Sequence, residues 1–344
     1  MASNTAECRR ILESHLDVVE VDGRIIVVGA KSGSLTDALE RAYRESVAAG
    51  CYIHTRRSKY GVEVSLYQAG GGGQKLLAAL VLFAATVASV YVSGLAAAEP
   101  EYGSLWTPYS FLAGLLGPLI LHELGHWIFM KRYGVPSSLP YFIPAPPLQV
   151  GFIGTFGAVI NMRWLPSRPG KLALIGIAGP LAGFIAALPV AYLGIQASIV
   201  QPAAGTAPLQ LVPLIMLLLP LSVEPGPGEV VVVSTAAFAA YIVFLVTFLN
   251  LLPVAMLDGG HVARSLLGFE GHRRLSLAFI VGFLLLSTLY PAFTGFALIM
   301  ILLYTLTGGR HPGAAVEEWP PDWRAIISAI LYALLLVLTL PIPA

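Results

Sequence analysis

From residue 76 onwards, long apolar runs without charges alternate with short polar segments. A helix needs about 20 apolar residues to cross the hydrocarbon core of a bilayer, so runs of this length predict membrane spans. We therefore expect a polytopic α-helical membrane protein with about six to seven spans, including a tight hairpin of two short ones. The predicted spans are 76–95, 108–130, 172–193, 231–252, the hairpin pair 276–290 and 292–306, and 325–340.

Residues 1–70 follow a different pattern, in which charged residues are spread among shorter apolar stretches. The mixture of helical and strand periodicity predicts a small α+β domain. A glycine-rich hinge at 71–75 would connect it to the membrane part. The predicted elements are a helix at 5–16, a strand-like alternation at 19–28 with a turn at Asp22-Gly23, an amphipathic helix at 35–49 that Gly50 ends, and two strands at 52–67.

The segment 141–164 is apolar but does not have the pattern of a span. Three prolines between 144 and 147 exclude a helix there. The stretch 150–162 is rich in β-branched and aromatic residues, which favours a β-hairpin. Strand backbone at membrane depth requires protein packing or a cavity to line, so we expect a membrane-associated hairpin beside the functional site. An apolar cytoplasmic loop is the alternative.

A second irregular segment, 208–221, is short and bounded by prolines. As a full crossing it would reverse the orientation that the charge pattern gives to the following span. We therefore interpret it as a re-entrant or interfacial segment on the extracytoplasmic side, where no complete crossing is required.

Composition agrees with a membrane protein, since 56% of the 344 residues are hydrophobic and only 11% are charged. The net charge of +1 gives no electrostatic basis for nucleic-acid binding. The first apolar run of membrane length starts near residue 76, so no cleavable signal peptide is expected. Cys8 and Cys51 are expected to be free thiols in a reducing compartment, and a disulfide between them is the less favoured alternative.

Basic residues crowd on one side of the predicted spans, whereas the connection 99–106 carries two acids and no base. Because cytoplasmic loops are enriched in lysine and arginine, this bias predicts a multi-pass cell-membrane protein with its N-terminal domain and functional site on the cytoplasmic side. The basic residues concerned are Arg56, Arg57, Lys59, Lys131, Arg132, Arg163, Arg168 and Lys171.

The most informative chemistry is the sequence HELGH at 122–126, inside the second predicted span. His122 and His126 are one helical turn apart, so both imidazoles can bind one metal ion. Glu123 is placed to act on a metal-bound water. HExxH also occurs by chance in helices. Ionisable side chains at membrane depth are costly, however, and this favours the functional interpretation.

Catalytic zinc generally has three protein ligands and a water, so a third ligand is needed. Asp258 is the favoured candidate because it lies at the cytoplasmic end of the fourth span, beside two glycines that permit close approach. A plain helix-end carboxylate is the alternative for Asp258, and His261 is a rival ligand. His272 and His311 are expected to be solvated, and His15 and His54 to be surface or packing residues.

Three motifs together resemble the site-2 protease family of intramembrane zinc metalloproteases, in its archaeal and EGY-like branch. They are HELGH, GTFGAVI at 154–160 and NLLPVAMLDGG at 250–260. The resemblance implies a core at 76–310. Residues 311–344 lie outside it and are expected to form a cytoplasmic loop and a C-terminal span. The resemblance also implies one Zn²⁺ per chain, bound by His122, His126 and Asp258. Glu123 and Asn250 would be catalytic, although the family's tight Asn-Pro-Asp-Gly form is loosened here.

The resemblance further implies that a strand formed by Gly154, Thr155, Phe156 and Gly157 binds an unwound substrate segment. The expected partners are transmembrane protein substrates and the lipid bilayer, and the oligomeric state stays open. Two other hypotheses are a membrane metal transporter and a non-catalytic zinc-binding regulator. A transporter usually carries polar groups along a path, whereas here they cluster at one level. Glu123 is needed only for hydrolysis.

Overall fold

The structure is a computed structural model and describes residues 2–59, 61–68, 75–203, 209–316 and 322–343. Residues 71–74 of the predicted hinge and residue 208 of the predicted re-entrant segment therefore lie outside the described residues. The chain divides into an N-terminal unit, residues 2–59 and 61–68, and a helical core that begins at α3.

The N-terminal unit has two helices and one antiparallel sheet in the order β1-β2-β4-β3. The turn between β1 and β2 is at Asp22 and Gly23, both with positive φ. The Ser34 hydroxyl caps α2 by accepting from the backbone N–H of Asp37, three residues on. The elements are α1 (Ala2–His15), β1 (Leu16–Val21), β2 (Arg24–Ala30), α2 (Leu35–Ala48), β3 (Cys51–Ser58) and β4 (Gly61–Gln68).

The expectation of free thiols is wrong, because Cys8 and Cys51 form a disulfide. The packing of α1 against the sheet brings their Cα atoms to 5.7 Å although 43 positions separate them in the sequence. That separation is in the usual range for a bridge. Both residues are buried. The free thiols were expected because a reducing compartment was inferred. The pairing is decided by a tertiary contact, which the sequence alone does not reveal.

The core is built from apolar helices. Among the described residues, four helices are long and apolar enough to cross a membrane, and three shorter apolar helices accompany them; the four are Leu76–Ala97, Pro108–Arg132, Pro169–Gln196 and Asp258–Leu289. The helices are α3 (Leu76–Ala97), α4 (Pro108–Arg132), α5 (Pro169–Gln196), the five-residue α6 (Leu214–Leu218), α7 (Thr235–Leu251), α8 (Asp258–Leu289), α9 (Thr294–Leu306) and α10 (Trp323–Leu338).

Helix α8 differs from the prediction, which began a span only at residue 276. The helix starts at Asp258 and continues to Leu289, with a break at Gly268 where φ is 70°. Arg264 follows Asp258 and is buried in the first half of this helix. Charge alone does not stop a helix, so the element extends through this segment.

The predicted hairpin is present as β5 (Tyr141–Pro144) and β6 (Thr155–Val159), paired antiparallel. Its connecting loop packs on α3. A Cβ atom at Gly154 would lie 2.7 Å from the Val90 backbone, so only glycine permits this approach. The hairpin is thereby held against α3, which packs on the motif-carrying helix α4.

On the opposite side of the core, short strands tie the loops together. β7 (Ile199–Pro202) pairs with β9 (Glu229–Val232), and β8 (Leu211–Pro213) pairs with the C-terminal β10 (Pro341–Pro343). The described residues of the segment interpreted as re-entrant form β8 and α6, and a helix of five residues is too short to cross a bilayer.

The N-terminal unit packs on two connecting segments of the core. Trp164, between β6 and α5, stacks on Tyr52 with ring centroids 4.8 Å apart. The backbone N–H of Thr55 in β3 donates to the carbonyl oxygen of Ala315 over 2.8 Å. Ala315 and Val316 are buried in the same apolar cluster as Leu12 and Ile53. The unit therefore shares a core with residues 315–316.

Candidate metal centre

Helix α4 presents the three polar side chains of the HELGH motif to the protein interior. Thr107 caps this helix, its side chain accepting from the backbone N–H of Ser110. His122, Glu123 and His126 are only 5 to 7% exposed. His122 and His126 share a helical face and Glu123 lies beside it, so their burial shows that this side of α4 is packed by protein.

The glycines of α5 let that helix approach α4 closely. A Cβ atom at Gly125 would lie 2.5 Å from the carbonyl oxygen of Ala178, and one at Gly179 would lie 2.1 Å from His126 Nε2. Gly183 similarly borders His122. The sequence predicts close helix packing from the α5 glycines. It does not reveal that these positions also make room for the two imidazoles.

The third side chain comes from a sharp turn between α7 and α8. Helix α7 ends at Leu251, Asp258 begins α8, and Ala255 between them has φ of 52°. A Cβ atom at Gly259 would lie 2.0 Å from the carbonyl oxygen of Leu251, so the turn requires glycine there. The chain folds back tightly enough to bring the Asp258 carboxylate to α4.

The structure brings the three predicted metal ligands together. His122 Nε2 lies 3.2 Å from Asp258 Oδ2, and His126 Nε2 lies 3.3 Å from Asp258 Oδ1. The two Nε2 atoms are 3.1 Å apart. Four ligands at zinc–ligand distances of about 2.0–2.2 Å are separated by roughly 3.3 Å in a tetrahedron. The spacing of these atoms therefore fits a zinc site.

The hydrogen bonding of His126 also fits metal binding. Its Nδ1 lies 2.7 Å from the carbonyl oxygen of Ile175. A carbonyl oxygen can only accept, so Nδ1 carries the hydrogen and Nε2 presents a lone pair to the cluster. Such a backbone partner is typical of metal-binding histidines, because it fixes the ring orientation and the tautomer.

His261 is close to the cluster but does not belong to it. Among the described residues, the potential metal-binding atoms that lie within 4.8 Å of one another at this site are those of His122, His126 and Asp258. His261 Nδ1 instead lies 3.0 Å from the carbonyl oxygen of Leu257. The geometry thus favours Asp258 over His261 as the third ligand.

The expectation that His272 and His311 are solvated is wrong. Both are buried, and the His311 ring centroid lies 4.8 Å from that of His261 and 5.4 Å from that of His272. The segment after α9 folds back onto α8, where Arg264 Nε donates to the His311 carbonyl oxygen over 3.3 Å. Burial lowers the pKa of His311, and the neighbouring histidines and Arg264 act in the same direction.

Two cavities meet at the cluster. The metal cavity, of about 580 Å³, is lined by both imidazoles, Asp258 and the backbone after β6. The apolar cavity, of about 390 Å³, lies between α4, α7 and the hairpin. Glu123 and Asn250 line both cavities. The two predicted catalytic residues therefore stand at the boundary between them.

Only some residues of the predicted substrate strand line a cavity. Thr155, Phe156 and Gly157 line the apolar cavity, whereas Gly154 packs against α3 and lines neither cavity. The lining continues beyond the predicted stretch to Ala158 and further. The strand pattern of the GTFGAVI motif extends past Gly157 and could have suggested that the cavity lining continues. A strand that pairs with an extended peptide presents an edge longer than four residues.

Comparisons with known proteins agree with these features. The profile described as Peptidase family M50 matches residues 110–289, which is more than half of the chain. The chain is 27% identical over 251 residues to "Probable zinc metalloprotease EGY2, chloroplastic" of Arabidopsis thaliana, covering 67% of the chain and 42% of that relative. It is 30% identical over 223 residues to "Probable zinc metalloprotease EGY1, chloroplastic" of the same plant, covering 55% and 39%.

A rice relative gives a similar result. The chain is 25% identical over 251 residues to the EGY2 protein of Oryza sativa subsp. indica, covering 70% of the chain and 43% of that protein. The chain thus spans about two fifths of the length of these curated relatives. No solved structure shows a significant match.

Proposed function

Because the chain belongs to peptidase family M50, the site-2 protease family, we propose that it is an intramembrane zinc metalloprotease. It would hydrolyse peptide bonds within or near transmembrane segments of membrane-protein substrates, as in regulated intramembrane proteolysis. The observation that carries the proposal is the convergence of two Nε2 atoms and a carboxylate at 3.1 to 3.3 Å, beside Glu123. A hydrolytic zinc site typically combines three protein ligands of this kind with a neighbouring base.

The residues of the chain divide the chemistry between them. His122, His126 and Asp258 would hold one Zn²⁺, which when bound makes water a better nucleophile and polarises a carbonyl group. Glu123 accepts a proton from the attacking water and passes it to the leaving amide nitrogen. Asn250, which lines both cavities as Glu123 does, donates a hydrogen bond to the carbonyl oxygen as negative charge develops on it.

The free edge of β6 would orient the substrate. In the described part of the chain the hairpin sheet contains only β5 and β6, and β6 borders both cavities. An extended peptide can add to such an edge through backbone hydrogen bonds. A helical transmembrane segment has its carbonyl groups in internal hydrogen bonds, so local unwinding must come before cleavage.

We also propose the orientation and the division of the chain. The distribution of lysine and arginine supports a multi-pass cell-membrane protein with residues 1–70 and the site on the cytoplasmic side. A disulfide is uncommon in a reducing compartment, so the Cys8–Cys51 bond does not support the cytoplasmic placement, and this proposal depends on the charge distribution alone. The core would be 76–310, followed by 311–344, and partners would be transmembrane substrates and lipids.

The test is a cleavage assay of the purified chain in proteoliposomes on single-span reporters, combined with metal analysis. The variant Glu123→Gln should keep one zinc per chain and lose at least about 10²-fold in rate, because proton transfer contributes about that much. Glu101→Gln, at an exposed glutamate, is the matched control and should cleave normally. Undiminished cleavage by Glu123→Gln would contradict the proposed mechanism.

A further inference from the structure

The apolar cavity adjoins the metal-binding cluster. His126 and Asp258 line only the metal cavity, whereas His122, Glu123 and Asn250 line both. A peptide bond held at Glu123 therefore has one of its flanking residues at the mouth of the apolar cavity. This is the position where a protease site distinguishes substrates by side chain.

The walls of the apolar cavity come mainly from α4, α7 and the hairpin, with Gly183 of α5 and Ile299 of α9. Leu115 and Leu119 belong to α4, Val243 and Val246 to α7, and Phe156 to β6. Apart from the residues shared with the metal cavity, two threonines are the polar side chains of its described lining. A bound side chain is stabilised against such walls because its apolar surface is removed from water.

Both threonines have their hydroxyl hydrogens engaged within the chain. Thr155 Oγ1 donates to the carbonyl oxygen of Ile143 over 3.1 Å, and Thr247 Oγ1 donates to that of Val243 over 2.8 Å. A polar substrate side chain in the depth of the cavity would lose its hydrogen bonds to water without full replacement. The chemistry of the cavity thus selects an apolar occupant.

The size and the opening of the cavity favour a large side chain. Its volume of about 390 Å³ is many times the ~30 Å³ that one water takes in the liquid. No heavy atom lies within 4 Å of a Cβ placed at Gly157, so the strand leaves the cavity open on that side. Because side chains alternate along an extended peptide, one residue beside the cleaved bond can point into it.

We propose that the apolar cavity is the specificity subsite of this chain, and that it selects substrates with a bulky apolar residue directly beside the cleaved bond. The inference rests on the proposed protease function and adds the substrate feature that it recognises. Val243, Val246 and Leu119 determine how large that residue can be.

The test uses the full chain in proteoliposomes and single-span reporters that differ only at the two residues flanking the cut. The cut is mapped by mass spectrometry, and Ala, Leu, Phe or Trp is placed at each flanking position in turn. For the wild type we expect kcat/KM to rise about 10-fold or more from Ala to Leu or Phe at one of the two positions. A flat profile at both positions would overturn the inference.

Filling and enlarging the cavity should move the preference in opposite directions. Val246→Phe should lower the Phe-to-Ala ratio of kcat/KM by about 10-fold or more, whereas Leu119→Ala should shift the optimum toward Trp. Leu245→Phe is the matched control, since this neighbouring residue of α7 does not line the cavity. An equal loss on all reporters in both cavity variants would contradict the subsite.

The two proposals fail in different ways. If the wild type binds zinc but cleaves no reporter, the protease function itself fails. If it cleaves reporters irrespective of side-chain size, the function stands and the subsite is refuted. A ratio that changes in Val246→Phe and not in Leu245→Phe supports both.

Discussion

Two of the largely buried groups of charged and ionisable side chains in the described structure differ in one respect. At the metal centre, His122, His126 and Asp258 all direct their ligand atoms toward one point. At the junction between α2 and α5, Glu40 instead pairs directly with Arg168 and Lys171. The first group converges on one point as metal ligands do, whereas in the second group a carboxylate lies between two positive charges.

The charged side chains of the junction group have specific ion-pair and hydrogen-bond partners. Arg168 Nε lies 3.0 Å from Glu40 Oε2, and Lys171 Nζ pairs with the other oxygen and donates to Ser167 Oγ over 2.9 Å. Nearby, the Tyr43 hydroxyl donates to the carbonyl oxygen of Leu165 over 2.7 Å. Buried charges with this many partners are typical of a structural contact between two parts of a chain.

This difference gives a criterion for distinguishing buried charges that serve function from buried charges that hold the fold together. Where ligand atoms converge without an opposite charge between them, removal of one should affect metal content and activity. Where opposite charges touch, removal of one should affect the attachment of the N-terminal unit, because the remaining charge is left without a partner. Four predictions test this contrast.

The largest effect is expected for Asp258→Ala. Loss of one of three protein ligands should reduce zinc from one per chain to a small fraction and remove cleavage, while the thermal stability of the N-terminal unit stays unchanged. Metal analysis after dialysis measures it. His261→Ala is the comparison variant and should keep the zinc. The opposite pattern, with metal lost only in His261→Ala, would make His261 the third ligand.

Gly179→Ala should be the next most severe. The added Cβ would lie 2.1 Å from His126 Nε2, so the imidazole must move away from its partners. We expect zinc affinity to fall up to about 100-fold, as when the support of a metal-binding histidine is lost. Competition with a chelator measures it. Gly117→Ala, where a Cβ meets no atom within 4 Å, is the control. Equal affinities would show that α5 does not set the ring position.

Glu40→Gln should act on the other group only. It leaves Lys171, which is 5% exposed, without its opposite charge, and we expect a loss of about 2 kcal/mol in the stability of the junction. Denaturant titration followed by limited proteolysis of the N-terminal unit measures it, and zinc content should not change. Glu45→Gln, at a carboxylate that is 57% exposed where it pairs with His15, should cost much less. A loss of zinc in Glu40→Gln would show that the junction group and the metal centre are coupled.

The sequence predicts most of the metal centre for a physical reason. Ionisable residues are costly in apolar spans, so His122, Glu123, His126 and Asp258 stand out against their surroundings. The periodicity of apolar runs likewise places the long helices. These features are local or compositional, and they need no knowledge of which elements touch.

The features that the sequence does not reveal depend on tertiary contacts. The Cys8–Cys51 pairing follows from how α1 lies on the sheet, and the burial of His311 follows from the return of its segment onto α8. The junction partners of Glu40 are more than 120 positions away in the sequence. A polar residue in a loop gives no sign of such a distant partner, so composition predicts solvation for it.

The smallest expected effect is the pH dependence of the junction. Burial alone would raise the pKa of Glu40, but the hydrogen bond and charge of Lys171, with Ser167 and Arg168, outweigh it and hold the pKa below its usual value of 4.5. A folded-state pKa below the unfolded one gives a stabilisation that is complete above about pH 4.5 and is lost as pH falls through the folded value. Proteolysis of the N-terminal unit should therefore accelerate only in acid. Because Glu40→Gln has no carboxyl group to protonate there, its stability should change less over the same range. Equal pH profiles for the two proteins would mean that this carboxylate does not hold the unit to the core.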